Sequence, residues 1–361
     1  MRHRHKSHAL CNLRRPSACL MHGSALKMLR RLLLTLMSLG LATGLAQAQT
    51  KPTLTVYTYS SFSGKYGPGK TVKERFEATC GCELTWVSAE DAGSLLGRLR
   101  LEGENTKADA IVGLDMNLVA EARALNLFAP HGVDEKDLTL PIRWSDNTFI
   151  PFDWGYYAFV YDANKLANPP KSLKELVDNP NGPKVVLQDP RTSAPGLGLL
   201  LWMQKVYGDK AGEAWGKLKP RIVTFTKGWS EAYGLFLKGE ADMVMSYTTS
   251  PAYHVIAEKK DNYKAAAFTE GHYLHVELAG MTRTTKQPEL ARQFMAFILS
   301  EPFQSAMPEG NWMMPAKTPA AGLPAAFKDL VQPSQALLFT PEEVQQNRRA
   351  FTDAWLNATA R

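Results

Sequence analysis

Short apolar segments that favour strands alternate with helical segments along the chain, and this alternation constrains the fold more than any other feature. Residues 53–59 are β-branched and aromatic, and a helical pattern follows at 71–79. The short apolar stretches 108–113 and 185–187 each precede a further helical segment. Strands that alternate with helices form βαβ units, so we predict an α/β fold whose sheets are mixed or mainly parallel and flanked by helices.

Two extended runs, 149–161 and 273–282, are longer than the other predicted strands. Strands of this length can pass from one half of a protein to the other. We therefore predict two α/β lobes joined by hinge strands. Lobe 1 is expected to comprise 49–155 with 279–361, and lobe 2 to comprise 156–278.

The net positive charge of the chain comes entirely from a leader, residues 1–48. The whole sequence has a formal net charge of +7, but the leader holds eight basic residues and no acidic one. The rest of the chain holds 34 Lys and Arg against 35 Asp and Glu, a net charge of −1. Nucleic-acid binding requires a basic domain, so this composition excludes a nucleic-acid partner.

The end of the leader has the order of a secretory signal peptide. A basic segment ending at Arg31 precedes the apolar run 32–41, and an A-x-A sequence ends at Ala48. We expect 28–48 to be the signal and cleavage to follow Ala48, which predicts an exported protein. The apolar run is about half the length needed to span a bilayer, which disfavours a membrane anchor.

The sequence after the leader contains no recognisable catalytic set. It has no G-x-S-x-G nucleophile elbow, phosphate-binding loop or H-E-x-x-H pair. The pair His272 and His275 would point to opposite faces of a strand, which disfavours a metal site. Gly196 and Gly198 form only a fragment of a dinucleotide-binding pattern. We therefore predict no catalytic residue, no metal site and no cofactor, and hence no enzyme.

Two cysteines, Cys80 and Cys82, follow the leader, and their spacing leaves two interpretations open. An exported protein meets oxidising conditions, in which these cysteines can form a disulfide with a small ring. Two structural thiols are the alternative, because so small a ring is strained. Neither interpretation involves zinc, since zinc sites use wider spacing and further ligands.

Several aromatic residues fall at the ends of predicted strands, where open α/β sheets bind ligands. Core packing explains any one of them taken alone, but their shared position favours a binding role. Tyrosine and tryptophan rings attract a cation by roughly 0.5–2 kcal/mol each. The aromatic residues at these positions are Tyr57, Tyr59, Tyr66, Trp229, Tyr247, Tyr253 and Trp312.

Polar residues near two predicted helix starts complete a candidate binding cleft. Asp91 directly precedes an apolar helix, where it caps the helix, accepts hydrogen bonds from an amine-bearing ligand, or does both. Thr192 and Ser193 precede the apolar helix predicted at 199–207, where hydroxyls and backbone N–H groups bind an anion or simply cap the helix. One cleft would then hold a cage for a cation, an acceptor for an amino group and a cradle for a hydroxyl or phosphate.

Seven segments after the leader resemble the periplasmic thiamine-binding components of bacterial ABC importers, within a larger class that includes ferric-ion binders. The similarity runs from about Lys51 to the C-terminus. The segments are LTVYTY at 54–59, AED at 89–91, NPPKSLKELV at 168–177, QDPRTSAPGLGLLLWMQKVYGD at 188–209, TKGWSEAYGLFLKGE at 226–240, SYTTSPAYH at 246–254 and GNWM at 310–313.

This resemblance implies a two-lobed periplasmic solute-binding protein of type II that performs no catalysis. Such a protein delivers thiamine, thiamine monophosphate or thiamine diphosphate to a membrane permease and its cytoplasmic ATPase. It meets the membrane only through the permease. The alternative is a ferric-ion-binding periplasmic protein that uses the tyrosine pair Tyr247 and Tyr253.

The resemblance also implies a set of ligand-binding residues. Aromatic rings would pack on the ligand, Asp91 would accept from its pyrimidine amine, and hydroxyl groups would hold the hydroxyethyl or phosphate tail. The family has a tryptophan where Tyr66 stands and a threonine where Ala194 stands, and the lost hydroxyl counts against tight binding of phosphate esters. The full set comprises Tyr59, Tyr66, Asp91, Ala92, Ser193, Ala194, Trp229, Tyr247, Thr248, Thr249, Ser250, Tyr253 and Trp312.

Overall fold

The computed structural model describes residues 51–360, which lie in one compact unit. The predicted leader, its signal peptide 28–48 and the cleavage after Ala48 lie outside the described residues. No helix within the described part of the chain is both long and apolar enough to cross a membrane. The boundaries of the two lobes remain a prediction.

The described residues contain twelve strands, most of which match the apolar segments predicted from the sequence. Strand β3 is shifted by two residues from the predicted 108–113, since it begins at Ala110 and ends at Asp115. The strands are β1 Thr53–Tyr59, β2 Glu83–Ala89, β3 Ala110–Asp115, β4 Phe128–Ala129, β5 Phe149–Asp162, β6 Val185–Gln188, β7 Ile222–Thr226, β8 Met243–Tyr247, β9 Tyr263–Ala265, β10 His272–Thr282, β11 Met314–Pro315 and β12 Ala336–Leu337.

Thirteen α-helices fall within the described residues, and the longer ones alternate with the strands as predicted. Short 3-10 turns and one π-helical turn, His254–Glu258, extend several of them. The α-helices are α1 Ser60–Ser63, α2 Gly69–Cys80, α3 Ala92–Glu102, α4 Val119–Ala124, α5 Leu173–Asp178, α6 Ala194–Tyr207, α7 Ala211–Leu218, α8 Trp229–Leu237, α9 Ser250–Tyr253, α10 Pro288–Ile298, α11 Glu301–Gln304, α12 Met307–Gly310 and α13 Pro341–Thr359.

The strands form a mixed sheet with a parallel group at each end. Its main order is β2-β1-β3-β10-β5-β8-β6-β7, and the four short strands pair beside this path. Strands β2, β1 and β3 are mutually parallel, and so are β8, β6 and β7. The central strands β10 and β5 run antiparallel to each other and to the neighbouring groups. The predicted mixed α/β sheet is therefore confirmed.

The two long predicted strands are the ones that connect the parallel groups. Strand β5 pairs with β10 through its first half and with β8 through residues 157–161. Strand β10 pairs with β5 on one side and with β3 on the other. Because both groups depend on this central pair, β5 and β10 occupy the place predicted for the hinge strands.

Helix α6 begins at Ala194, five residues before the start predicted from the sequence. Pro195 lies in its first turn, where a missing N–H group does no harm. Most of the helix is buried, which explains its apolar sequence on every side. A Cβ atom at Gly198 would lie 2.0 Å from the ring of Tyr157. The paired glycines of this segment therefore serve close packing against the sheet.

Replacing Gly198 by alanine is expected to lower the free energy of unfolding by about 1–3 kcal/mol, because the added methyl group overpacks the core against Tyr157. Gly212 in α7 is the matched control, since a Cβ atom there would meet nothing within 4 Å. Gly212→Ala should instead stabilise by about 0.5–1 kcal/mol through helix propensity. Urea unfolding of both variants measures this, and equal effects would show that Gly198 does not pack closely.

A disulfide joins Cys80 at the end of α2 to Cys82, so the cysteines form the small ring rather than two free thiols. The helix ends because Gly81 takes a left-handed conformation with φ of 63°. Both cysteines lie at the amino end of β2, whereas the cavity described below lies at the carboxyl ends of the strands. The disulfide is therefore a structural feature remote from the candidate site.

Candidate ligand-binding cavity

A cavity of about 600 Å³ opens at the carboxyl ends of the parallel strands, on the edge where α/β sheets bind ligands. Small-molecule sites typically have volumes of roughly 300–1,000 Å³. Both parallel groups contribute to its wall, because β1 ends at Tyr59 and β8 ends at Tyr247. Strand β10 contributes Glu277. The cavity therefore lies between the two groups and beside the central strands.

Aromatic side chains dominate the cavity wall, and six of the seven were predicted from the sequence. Tyr57 differs from that prediction, because it is buried in β1 with the Arg98 guanidinium 4.3 Å from its ring centroid. Tyr66 is 72% exposed, which places it at the mouth. The aromatic residues of the wall are Tyr59, Tyr66, Trp229, Tyr233, Tyr247, Tyr253 and Trp312.

Contacts among the rings hold the wall in place. The Trp229 indole stacks on Tyr233 with 4.8 Å between centroids, and its Nε1–H donates to Ser246 Oγ at 2.8 Å. The Tyr247 ring stacks on buried Tyr157 at 5.2 Å. Rings that are already fixed lose little conformational freedom on binding a ligand, so this wall is preorganised.

Trp312 adopts a backbone conformation that is unfavourable for a bulky residue. Its φ of 58° lies in the left-handed region, which carries an energetic penalty of roughly 1–3 kcal/mol. The backbone N–H donates to Met307 O at 3.0 Å, and the indole meets Tyr253 edge-on at 5.2 Å. The surrounding structure thus maintains a strained residue at the cavity wall, as is common at binding sites.

Asp91 lies among the N-termini of three helices and accepts four hydrogen bonds. Its Oδ1 accepts from the backbone N–H groups of Ala92 at 2.7 Å and Ala194 at 3.0 Å. Its Oδ2 accepts from Ser193 Oγ at 2.8 Å and from the backbone N–H of Trp229 at 3.3 Å. The predicted N-cap of α3 is therefore confirmed, and the same carboxylate also serves α6 and α8.

The Asp91 carboxylate joins loops that come from opposite ends of the sheet. It follows β2, whereas α6 and α8 follow β6 and β7 in the other parallel group. Burial raises the pKa of Asp91, while its hydrogen bonds, first that from Ala194, act in the opposite direction. Helix N-termini also favour a negative charge. A ligand amine would have to share oxygen atoms that already accept hydrogen bonds.

Four predicted ligand-binding residues lie behind the cavity wall rather than on it. The predicted phosphate cradle at the start of α6 is altered as well, because the Ser193 hydroxyl and the Ala194 N–H donate to Asp91. Ala194 itself and Ser250 reach the cavity. The residues behind the wall are Ala92, Ser193, Thr248 and Thr249.

A polar cluster on the cavity floor was missed by the sequence analysis. Glu277 is 6% exposed, and its Oε2 accepts from the Tyr59 hydroxyl at 2.8 Å and from Asn311 Nδ2 at 2.9 Å. Asp153 lies beneath it, with Oδ2 accepting from the same Asn311 amide at 2.6 Å. The available signal was an acidic residue inside each long apolar strand, where an ionisable side chain needs a specific partner.

A charged histidine lies next to this cluster. His275 Nδ1 is 3.2 Å from Asp115 Oδ2, and its Nε2 is 3.8 Å from Glu277 Oε1. Burial alone would lower the pKa of His275, but the carboxylate of Asp115, followed by that of Glu277, raises it to about 10. His275 is therefore protonated at neutral pH. The other histidine of the pair considered in the sequence analysis, His272, forms hydrogen bonds with the backbone of Tyr157 and Phe268 instead.

The chemistry of the cavity suits a flat organic cation better than a metal ion. Within residues 51–360, no group of three His, Cys, Asp or Glu residues could hold a metal. Burial, and then the charge of Glu277, raises the pKa of Tyr247 well above its usual value. Burial and Glu258 raise the pKa of Tyr253. The raised pKa values make it harder to form the tyrosinates that ferric ligation requires.

A mixed sheet whose two parallel groups flank a ligand-sized cavity is typical of a solute-binding protein. Residues 71–332 match the family described as bacterial extracellular solute-binding protein, and the chain belongs to that family. Relatives of high identity carry a more specific description than the family does. The chain is 58% identical to the thiamine-binding periplasmic protein of Salmonella typhimurium over 316 residues. These aligned residues cover 88% of this chain and 96% of that protein.

Two further comparisons agree with this relationship. The thiamine-binding periplasmic protein of Brucella suis is 54% identical over 334 residues, which cover 92% of this chain and all of that protein. A solved structure described as a periplasmic thiamin binding protein is 58% identical, with a TM-score of 0.85. It covers 87% of this chain and 98% of its own. The predicted two-lobed type II solute-binding fold is confirmed, and the family is one of transport proteins rather than enzymes. The comparisons do not favour the ferric-ion alternative.

Proposed function

We propose that this chain binds thiamine in the cavity and delivers it to the permease of an ABC importer with a cytoplasmic ATPase. It would act in the periplasm after cleavage following Ala48, and it would meet the membrane only through the permease. The observation that carries the proposal is the wall of seven aromatic rings above Glu277, the buried carboxylate on the cavity floor. The names of relatives that are 54–58% identical support it.

The aromatic wall would bind the two rings of thiamine. The thiazolium ring carries a permanent positive charge that no proton transfer can remove. Burying such a charge costs several kcal/mol unless the site compensates it. The faces of Trp229, Tyr247 and Tyr253 offer stacking and cation–π contacts, while Tyr59 and Trp312 close the remaining sides.

The polar ends of thiamine would meet the polar parts of the wall. The pyrimidine amine would donate to Asp91, which would share an oxygen between the ligand and its backbone donors. The hydroxyethyl tail would bond to Ser250, which lines the cavity. Thiamine monophosphate and diphosphate would enter as well, but more weakly, because Ser193 and Ala194 already donate to Asp91.

Isothermal titration of the purified chain with thiamine and its two phosphate esters tests this function. We expect thiamine to bind and to raise the melting temperature, since a ligand at 100 times its Kd stabilises by about 2.7 kcal/mol. The esters should bind at least about threefold more weakly. No heat and no thermal shift with any of the three would refute the proposal. A red tyrosinate band on adding ferric salt would favour the iron-binding alternative.

A further inference from the structure

Two carboxyl groups face each other at the cavity floor, and one of them reaches the cavity. Asp153 on β5 and Glu277 on β10 are direct partners in the antiparallel register. Side chains at such positions project from the same face of the sheet, where two like charges repel. Glu277 lines the cavity, whereas Asp153 is fully buried beneath it. Two buried carboxyl groups this close together do not both ionise in the absence of a nearby cation.

Their hydrogen bonds distinguish the charged member of the pair. Glu277 Oε2 accepts from the Tyr59 hydroxyl and from the Asn311 amide, which stabilise a negative charge. Asp153 shares only the Asn311 amide, and its Oδ1 has no hydrogen-bond partner among residues 51–360. Burial, followed by the charge of Glu277, raises the pKa of Asp153 well above its usual value. Asp153 thus keeps its proton, and Glu277 carries the charge.

The remaining groups around the pair do not cancel the charge of Glu277. Protonated His275 lies closer to Asp115 than to Glu277, so its positive charge mainly stabilises the Asp115 carboxylate. The neighbouring phenols are neutral, because burial raises the pKa of each. No Lys or Arg in the described part of the chain forms an ion pair with Glu277. The titratable groups that face the pair are Tyr59 on β1, Asp115 on β3, Tyr157 on β5, Tyr247 on β8 and His275 on β10.

We propose that Glu277 is the counter-charge for the positive ring of the ligand and that the proton on Asp153 keeps the pair at a single negative charge. Asp115 and Glu277 share the single positive charge of His275, so this buried group keeps one negative charge that a cation entering the cavity can neutralise. Glu277 then determines specificity, since a neutral ring of the same shape cannot repay its desolvation. This inference rests on the proposed function and names the residue that selects a cationic ligand.

The test compares thiamine with its analogue in which carbon replaces the thiazolium nitrogen, because this ring keeps the shape and loses the charge. Isothermal titration should show that the wild-type chain prefers thiamine by at least about tenfold. Glu277→Gln should weaken thiamine binding by at least about tenfold and leave the neutral analogue within about threefold. Glu83→Gln is the matched control, since it removes an exposed charge at the far end of β2.

If Glu277→Gln still binds both ligands and weakens them equally, or if the wild-type chain binds both ligands equally, the inference is overturned and the proposed function is left intact. Absence of thiamine binding to the wild-type chain would overturn the proposed function as well. If Glu277→Gln binds neither ligand, Glu277→Asp decides, because it retains the charge. A preserved preference for thiamine in that variant supports the inference, and a lost preference overturns it.

Discussion

Replacing Asp91 by alanine is expected to destabilise the protein by about 3–5 kcal/mol, because several buried hydrogen bonds to one carboxylate are lost together. The substitution leaves four donors without an acceptor: the backbone N–H groups of Ala92, Ala194 and Trp229 and the Ser193 hydroxyl. A buried donor without a partner loses its hydration with nothing in return. Thermal and urea unfolding measure the loss.

The same substitution should weaken thiamine binding by about 100-fold, or about 3 kcal/mol. Asp91 links the loop after β2 to the loops after β6 and β7, which lie at opposite ends of the sheet. Without it, Ala194 and Trp229 lose their hydrogen bonds to this carboxylate, and the cavity loses part of its preorganised shape. The proposed bond to the ligand amine is lost as well. Isothermal titration measures this effect.

Two further variants isolate the contribution of the carboxylate. Asp91→Asn keeps the shape and one acceptor oxygen but turns an amide N–H group toward donors, so its losses should be intermediate. Glu90→Ala removes a neighbouring exposed charge and should change neither stability nor affinity. A wild-type melting temperature together with wild-type affinity in Asp91→Ala would show that this carboxylate contributes neither to stability nor to ligand binding.

Elements with a strong pattern were predictable from the sequence. Leu290, Phe294, Phe297 and Ile298 recur at helical spacing in the sequence, and all four are buried on one face of α10. Strand β1 begins at Thr53 and ends at Tyr59, as predicted. Helix α10 buries one face, which fixes the period of its apolar residues, whereas β1 is buried on both faces and is recognised by its β-branched and aromatic residues.

Weaker patterns failed for identifiable reasons. Helix α7 was not predicted, because Gly212 and Gly216 lower its helix propensity and tertiary packing of Trp215 overrides them. The helix predicted at 199–207 omits the first five residues of α6, where Gly196 and Gly198 lower the helix propensity. Both segments form helices since close packing against neighbouring elements outweighs the unfavourable glycines.

The candidate site was predictable only where it depends on strand ends. Parallel strands end at one edge of the sheet, so the aromatic residues after them had to come together. The pairing of Asp153 with Glu277 depends on the register of two strands more than 100 residues apart in the chain, which no local pattern encodes. Likewise, the sequence indicates that Asp91 caps one helix but not that two more helices converge on it.

Replacing Trp229 by alanine is expected to weaken thiamine binding by roughly 2–3 kcal/mol, as truncation of a central tryptophan does at other interfaces. The indole forms part of the cavity wall and is fixed by Tyr233 and Ser246, so it offers a rigid face to the thiazolium ring. The backbone N–H that donates to Asp91 remains in the variant. Stability should therefore change much less than in Asp91→Ala, which separates the two roles.

Trp229→Phe serves as the matched variant, since phenylalanine keeps an aromatic face but loses the bond from Nε1 to Ser246 and part of the ring area. Its thiamine affinity should lie between those of the wild-type chain and Trp229→Ala. Isothermal titration with thiamine and thermal unfolding of the ligand-free variants provide the two readouts. Wild-type affinity in Trp229→Ala would remove this residue from the binding wall, whereas a stability loss as large as that of Asp91→Ala would mean that the indole mainly supports the fold.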